Sequence, residues 1–529
     1  MSYLTYDTFC RYLVLLEQVI DVNKYCVENL HVWPILRTVL NGLMEYDGNF
    51  QLGDRSRNKN QLFKLADLIS NKFELVNVSL PEISEAKPDL ISHQQTSSRG
   101  KLDRKPVVCF IGRTDDYTLK LQSGWFSPII DSWYKTLAPK CHNVKMEILE
   151  PQTDLEIQSR TIPPLLISPQ SNLLSRENLL LFKALKKQLD LLIQDIHNFN
   201  LKELGINLAP EGFYQIAGTM LQSSMVIRNS VTPILSGLNP DVIMMGCSYY
   251  YLGYGIQWAA SDLEIVGVEL QHGYIGEHHY AYNAFTKIPD SGYRLLPKVF
   301  NLWGEKSVSP MSSWLSNSQN YHKTIVGGKI LLTEELLDEA SLVKLNHLKK
   351  RIDNYQKVVL ISLQAHEHIS LTENLILAIK NSPPQWYWLV RCHPLSSRSG
   401  RNGHNPISVM NILSQRSIKH YETDLASSLP LDVILSLCDH HVTYFSSVYL
   451  EAMAQRIPTT FIHLAADILF REPIQMEAAF LVKNEPNSII NSISNFTVTR
   501  AFSNFATEEV ENRREVHDQF LNRLILSEY

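Results

Sequence analysis

Three short stretches carry residues whose types and order suit chemistry on a phosphate and a hydroxyl. The first, VTYFSSVYLEAMAQRIPTTFI (Val442–Ile462), reads as a buried strand, a Ser446-Ser447 pair at the turn, a helix, a proline break and a second apolar strand. A strand that passes into a helix through small hydroxyl residues presents free backbone N–H groups to an anion. Either serine is placed to cap that helix and to donate to the same ligand. Glu451 lies four residues past Ser447, one turn on along the same face. A capping box needs its acid three residues after the cap, so Glu451 is left for another partner, and a ribose diol beside a phosphate fits it. The second stretch is RCHP, with His393 at a predicted strand end and Pro394 stopping the ladder. The third is ELQHGYIGEHH, with His272 directly after a strand and glycines at Gly273 and Gly276.

Each feature has an ordinary structural reading as well: a serine cap, a surface glutamate, a loop histidine in a chain with 18 of them. Taken together they divide a reaction. His393, Pro394 and the serines, expected at neighbouring exits of one sheet, would hold a nucleotide phosphate and stabilise it as negative charge develops. Glu451 would hold the ribose. His272, across a cleft, would take the proton of an acceptor hydroxyl, since neutral imidazole suits that work near pH 7. Asp115 and Asp116, at the exit of the first strand, are the rival base, although aspartate there is often a turn residue. Gln271, Gly273, Glu277 and His278 are placed on the acceptor side. EHH offers two metal ligands without an HExxH pattern or a Cys/His cluster, so neither a metal nor another cofactor is expected. No Walker loop, GxGxxG fingerprint or GxSxG elbow is present, which removes the main support for kinase, dehydrogenase and hydrolase readings.

The elements that must position these residues follow from apolar patterning. From Pro106 onward, short apolar runs such as VVCFIG, DVIMMGC and IVGVEL alternate with helical stretches, which predicts a doubly wound, mostly parallel sheet. The rhythm repeats from Lys329 with KVVLISL, WYWLVRCHP, IKHYE and the VTYF and TTFI strands. The fold class expected is therefore α/β, two Rossmann-like doubly wound domains facing a cleft, with a helical N-terminal extension. The divisions fall at 1–104 (helical extension and linker, with a helix near Leu62–Ile69), 105–328 (acceptor domain), 329–498 (nucleotide-donor domain) and 499–529 (a terminal helix). That last helix, about Ala506–Leu526, has an apolar face of Val510, Phe520, Leu521 and Leu524.

Composition narrows the partners. The chain has 529 residues, 44% apolar and 19% charged, the balance of an ordinary globular protein. A net charge of -5 argues against nucleic acid as the main partner. Seven cysteines without CxxC spacing fit reduced thiols in a cytosol. No signal-peptide pattern and no apolar run of membrane-spanning length is seen.

With these residues in place, the chain resembles a GT-B glycosyltransferase of bacterial surface-polysaccharide pathways. The likeness rests on LQHG with a later FNLWG and IVGG, then RCHP, then YFSSVYLEAMAQRIP, and spans roughly Pro240–Gly328 and Val358–Ile462. The HP and SS pair is similar to that of bacterial transferases that release CMP: the sialyltransferases, the Kdo transferases of capsule and lipopolysaccharide and, more loosely, the CDP-glycerol glycerophosphotransferases. The resemblance implies a nucleotide-sugar donor, a CMP-activated one above others, and a glycan or lipid-linked glycan acceptor. It also implies His393 and Ser446–Ser447 as ligands of the nucleotide phosphate and His272 in the catalytic site. A cytoplasmic location follows from the pathway, with peripheral attachment to the inner face of the cytoplasmic membrane left open. Two positions depart from the pattern: Gln271 stands where glycerophosphotransferases carry Trp, and Arg456 where the EAxxxGxP ending has glycine. Alternatives are a UDP- or GDP-sugar transferase, a glycerophosphotransferase, an epimerase of the nucleotide-sugar 2-epimerase type, and a non-catalytic protein of an assembly complex.

Overall fold

The structure is a computed structural model that describes residues 4–45, 104–149, 159–169, 175–205, 210–316, 321–365, 370–394, 396, 403–496, 502 and 514–526. The expected helix near Leu62–Ile69, the polar linker before position 104 and Val510 lie outside the described residues.

The apolar runs become two sheets. The first contains β1 Val107–Arg113, β2 His142–Ile148, β3 Leu165–Ile167, β4 Val242–Met245, β5 Val266–Leu270, β6 Val299–Leu302 and β7 Lys323–Val326, in the order β7-β6-β5-β4-β1-β2-β3. The second contains β8 Lys357–Ser362, β9 Trp386–Arg391, β10 Tyr421–Glu422, β11 His440–Thr443, β12 Thr459–Phe461 and β13 Ala479–Leu481, in the order β10-β9-β8-β11-β12-β13. All pairings within the two sheets are parallel. The chain thus folds as two doubly wound α/β domains, as the alternating pattern predicts.

A parallel sheet is buried on both faces, which is why its strands read as continuous apolar runs rather than alternating ones. Cys109, Ile111, Ile243 and Met245 point into one core with the helices Pro210–Leu238 and Tyr251–Asp262. Their neighbours Val108, Phe110, Val242 and Met244 point the other way, into a core shared with the helix Ile130–Leu137 and the terminal helix Arg514–Leu526. Phe520, Leu521 and Leu524 of that terminal helix fill the first sheet's core after the chain has built the second sheet.

Two elements differ from expectation. IKHYE shortens to Tyr421–Glu422, because this edge strand has partners only at Trp388 and Leu389 and Ser417 turns the chain with φ 59° just before it. The VTYF strand is shifted to His440–Thr443: its neighbour β8 ends at Ser362, opposite Thr443, so Tyr444 and Phe445 already belong to the exit.

The helices Leu4–Val19 and Trp33–Glu45 share a single core with the helix Arg176–Phe199 and with the loop that follows His272, through residues such as Leu13, Trp33, Leu189, Tyr282 and Phe285. Inside that core a fully buried ion pair joins Glu17 to Arg37 at 2.8 Å. Arg37 donates to the carbonyls of Tyr280, Asn283 and Ala284, while Glu17 accepts from Trp33 Nε1, Thr286 Oγ1 and Lys287 N. Two buried charges are tolerated here because each has several hydrogen-bond partners, although Arg37 Nε has none among the described residues. The result is a rigid support beneath the loop 277–287.

Candidate functional site

Open α/β sheets take ligands at the carboxyl ends of their strands, where the strand order reverses. In the second sheet that point lies between β8 and β11. Around it stand His393 and Pro394 after β9, Gln364 after β8, Ser446 and Ser447 after β11, and His463 after β12. His393 and the serines are therefore not at neighbouring exits; β8 separates them. Gln364 occupies the intervening place, and its buried Nε2 has no hydrogen-bond partner among the described residues. His393 is half-buried, and its carbonyl accepts from Ser396 N at 3.0 Å.

The serine pair is arranged differently from a simple cap. Ser447 stands at the cap position of the helix Val448–Ala454 with helical backbone angles (φ -62°, ψ -11°) and makes no side-chain cap bond. A capping side chain needs a non-helical backbone at that residue to reach back to the first turn. Ser446 Oγ instead accepts from Val448 N at 3.3 Å. Ser447 faces the first sheet: a Cβ placed on Gly273 would stand 3.7 Å from Ser447 Oγ.

Glu451 is tied to the segment that joins the two sheets. Lys329, just past the Gly327-Gly328 pair, places Nζ 2.7 Å from Asp432 and 3.8 Å from Glu451 Oε1, and lies 5.5 Å from the Trp303 ring. Burial pulls the Lys329 ammonium down, but Asp432 and Glu451 outweigh it and hold its pKa above the usual value. Burial has the larger effect on Glu451 and raises its pKa despite Lys329. Glu451 Oε2 is buried without a hydrogen-bond partner among the described residues, an acceptor left for something else.

In the first sheet the order reverses between β1 and β4. Asp115 is exposed in the short turn after β1. Asp116 is engaged: its carboxylate takes Arg113 N at 2.8 Å and Arg113 Nε and Nη2 at 3.0 and 2.8 Å. That pairing raises the Arg113 pKa against the effect of burial. Arg113 also lies 4.9 Å from the Tyr250 ring, at the exit of β4.

His272 leaves β5 beside these groups. Its Nε2 is 3.2 Å from Tyr249 Oη, and its Nδ1 is 3.9 Å from Glu269 Oε1. Burial, with the Arg113 charge added, pushes the imidazole down to about 4, so it is neutral at physiological pH. Glu269 is buried inside β5 and pushed up to about 7 by burial, although Ser248 N, Ser248 Oγ and Tyr282 Oη all donate to it.

The other acceptor-side residues separate. Gln271 is buried as a strut, donating to Gly273 O (2.9 Å) and Ser307 Oγ (3.1 Å) and accepting from Trp303 N (2.7 Å). Its side chain fixes the loop rather than lining an open surface. His278 turns toward the N-terminal helix, with Nδ1 3.5 Å from Asp7. Glu277 is half-buried; burial raises its pKa, and Arg471 of the second domain pulls it back. Here the domains touch: Tyr274 packs edge-on against Phe470 at 5.1 Å, and Lys306 pairs with Glu472.

The structure thus brings the His272-Gly273 and Ser446-Ser447 turns together at Gly273 and Ser447, with Glu451 beside the joining segment. It assigns Asp116, Gln271 and His278 to other partners. Glu269, Tyr249, Arg113, Gln364 and Lys329 are the additions. For Glu269 there was a sign in the sequence, an acid inside an otherwise apolar strand run. For Gln364 there was none.

No family model matches the chain, and no curated protein sequence matches it either. Solved structures align with 80% of it. A UDP-GlcNAc 2-epimerase from Neisseria meningitidis bound to UDP-GlcNAc is covered over 100% of its length (15% identity, TM-score 0.46). The calicheamicin glycosyltransferase CalG4 is covered over 95% (13%, 0.42), and UGT89C1 of Arabidopsis thaliana over 100% (13%, 0.43). These are proteins to which the chain is similar in arrangement; their activities are their own.

Proposed function

We propose that this chain is a GT-B glycosyltransferase moving a sugar from a nucleotide donor, CMP-activated above others, to a hydroxyl of a cell-surface glycan. The observation that carries the proposal is the apposition of two strand exits: the His272-Gly273 turn of the first domain and the Ser446-Ser447 turn of the second. His393, Gln364 and the serines hold the donor phosphate, and Glu451 Oε2 accepts from the ribose. The acceptor oxygen attacks the anomeric carbon as the bond from that carbon to the phosphate oxygen breaks, leaving the electron pair on the phosphate. The acceptor proton passes to His272 Nε2, directly or through the Tyr249 hydroxyl. Glu269 then faces the imidazolium, and in a site shielded from water that pairing favours the transition state over the ground state.

A panel of CMP-, CDP-, UDP- and GDP-activated donors, scored for nucleotide release with and without a glycan acceptor, tests this. Release from the CMP donor that needs the acceptor is expected. Release without an acceptor would favour an epimerase, release from UDP or GDP donors would replace the nucleotide, and no release from any donor would favour an assembly protein. CMP at about 100 times its Kd should stabilise the fold by about 2.7 kcal/mol, and His393→Ala should abolish that shift. His272→Ala should keep the shift and lose turnover.

A further inference from the structure

Among the described residues, several of the exposed large apolar side chains lie on one helix of the first domain and on the edge strand before it. Leu179, Leu180 and Leu191 stand exposed on the helix Arg176–Phe199, and Leu165 and Leu166 stand exposed on β3, the edge strand that precedes it. Leu180 is 58% open to solvent and Leu191 46%. At about 100° per residue, positions four, three, four and four apart fall on one stripe. Arg176, Leu180, Lys183, Lys187 and Leu191 occupy such a stripe, and all are exposed.

Of the acids nearby, Asp190 pairs with Lys186 at 2.5 Å and Asp195 with Lys24 and Tyr25, while Glu177 stands exposed in the first turn, beside Arg176. The opposite face, Leu185, Leu189, Leu192, Ile193 and Ile196, is buried in the first domain's core, so the helix is anchored without its exposed leucines. Next to Tyr214 of the adjoining helix runs a groove of about 440 Å³, whose walls mix Phe182 and Leu191 with Lys183, Lys186, Lys187 and Asp190.

We propose that this face docks on a bilayer that contains anionic lipid. The leucines enter the headgroup boundary, while Arg176, Lys183 and Lys187 meet lipid phosphates. Cations interleaved with leucines match a surface that is anionic and, a few ångströms deeper, apolar. A second copy of the chain fits less well, because a two-fold arrangement would set the stripe's cations against themselves. Docking depends on this surface and not on the nucleotide used. It would bring a lipid-linked acceptor within reach of the first domain.

The full chain mixed with sucrose-loaded phosphatidylcholine vesicles, with or without phosphatidylglycerol, provides the test. Sedimentation with the anionic vesicles and release by salt are expected. Lys183→Glu with Lys187→Glu, and separately Leu180→Gln with Leu191→Gln, should each weaken partition at least about tenfold. Lys344→Glu with Lys350→Glu, the same charge change at exposed positions of the second domain, should leave it unaltered. Melting temperatures of the stripe variants should match the parent, since these side chains are exposed. Absence of sedimentation, equal sedimentation of the stripe variants, or an effect confined to self-association would overturn the proposal. Nucleotide release onto a water-soluble acceptor reports separately on the transferase reading and should be the same in every stripe variant.

Discussion

At the scale of single residues, Glu269 and His272 lie 3.9 Å apart with shifts that oppose each other in pH. Glu269 is pushed up to about 7, so its native form holds a proton that the unfolded chain has already lost above pH 4.5. A carboxyl raised in this way favours the fold below the unfolded pKa, and that advantage fades as pH rises through 7. Replacing it with an uncharged isostere removes the cost of ionisation, about 3 kcal/mol at most for a shift of this size. Glu269→Gln is therefore expected to melt higher than the parent at pH 8 and at the same temperature at pH 4.5. If Glu269 also balances an imidazolium in transfer, the same variant loses turnover while it gains stability. A variant that kept full turnover would remove Glu269 from the reaction. His272 itself was legible from its place after a strand; the carboxylate beside it was not, because strand patterning does not say which buried acid meets which loop.

At the scale of elements, the short helix Val448–Ala454 ends at Arg456, which sits at φ 59°. Ile457 N bonds back to Ala452 O across that turn. The left-handed backbone costs a side-chain-bearing residue roughly 1–2 kcal/mol, which gives a physical reason for glycine at this place in the pattern noted from the sequence. Arg456→Gly should hold or raise the melting temperature, and Arg456→Val should lower it, since a branched Cβ suits this conformation least. Equal melting of both variants would show that the turn relaxes. The strands themselves were plain in the sequence as uninterrupted apolar runs, and the strand exits followed from them. The serine turn was less readable. That Ser447 would adopt helical angles and leave the bond to Ser446 depends on where β11 stops, and β11 stops where its partner β8 does.

At the scale of the molecule, several buried histidines set an acid limit. His272 and His322 are pushed down to about 4 and His279, His440 and His441 to about 3, each chiefly by burial. The unfolded chain protonates its histidines near pH 6.5, while these native ones stay neutral, so stability is full above that pH and drains as pH falls toward 4. The slope is roughly 1.4 kcal/mol per pH unit for each histidine. Several acting together would exceed a net stability of about 5–15 kcal/mol. Thermal melts between pH 7.5 and 5 should show a steep, monotonic fall, less steep in a His440→Asn, His441→Gln variant. A flat profile would mean that these rings reach solvent. The two-domain plan was legible in the sequence because alternation of strand and helix repeats along the chain. The role of the first two helices was not, since the Glu17–Arg37 pair and its grip on residues 280–287 join positions more than 240 apart.

The terminal helix carries a consequence for the order of events on the ribosome. Phe520, Leu521 and Leu524 complete a core whose other members are all translated by Ile330. At about 5–20 residues per second, close to 190 residues separate them, so the first domain waits roughly 10–40 s with Trp133 and Phe110 uncovered while the second is made. Among the described residues the second sheet's cores take nothing later than Phe502, so the second domain can close first, which reverses the usual N-to-C order of maturation.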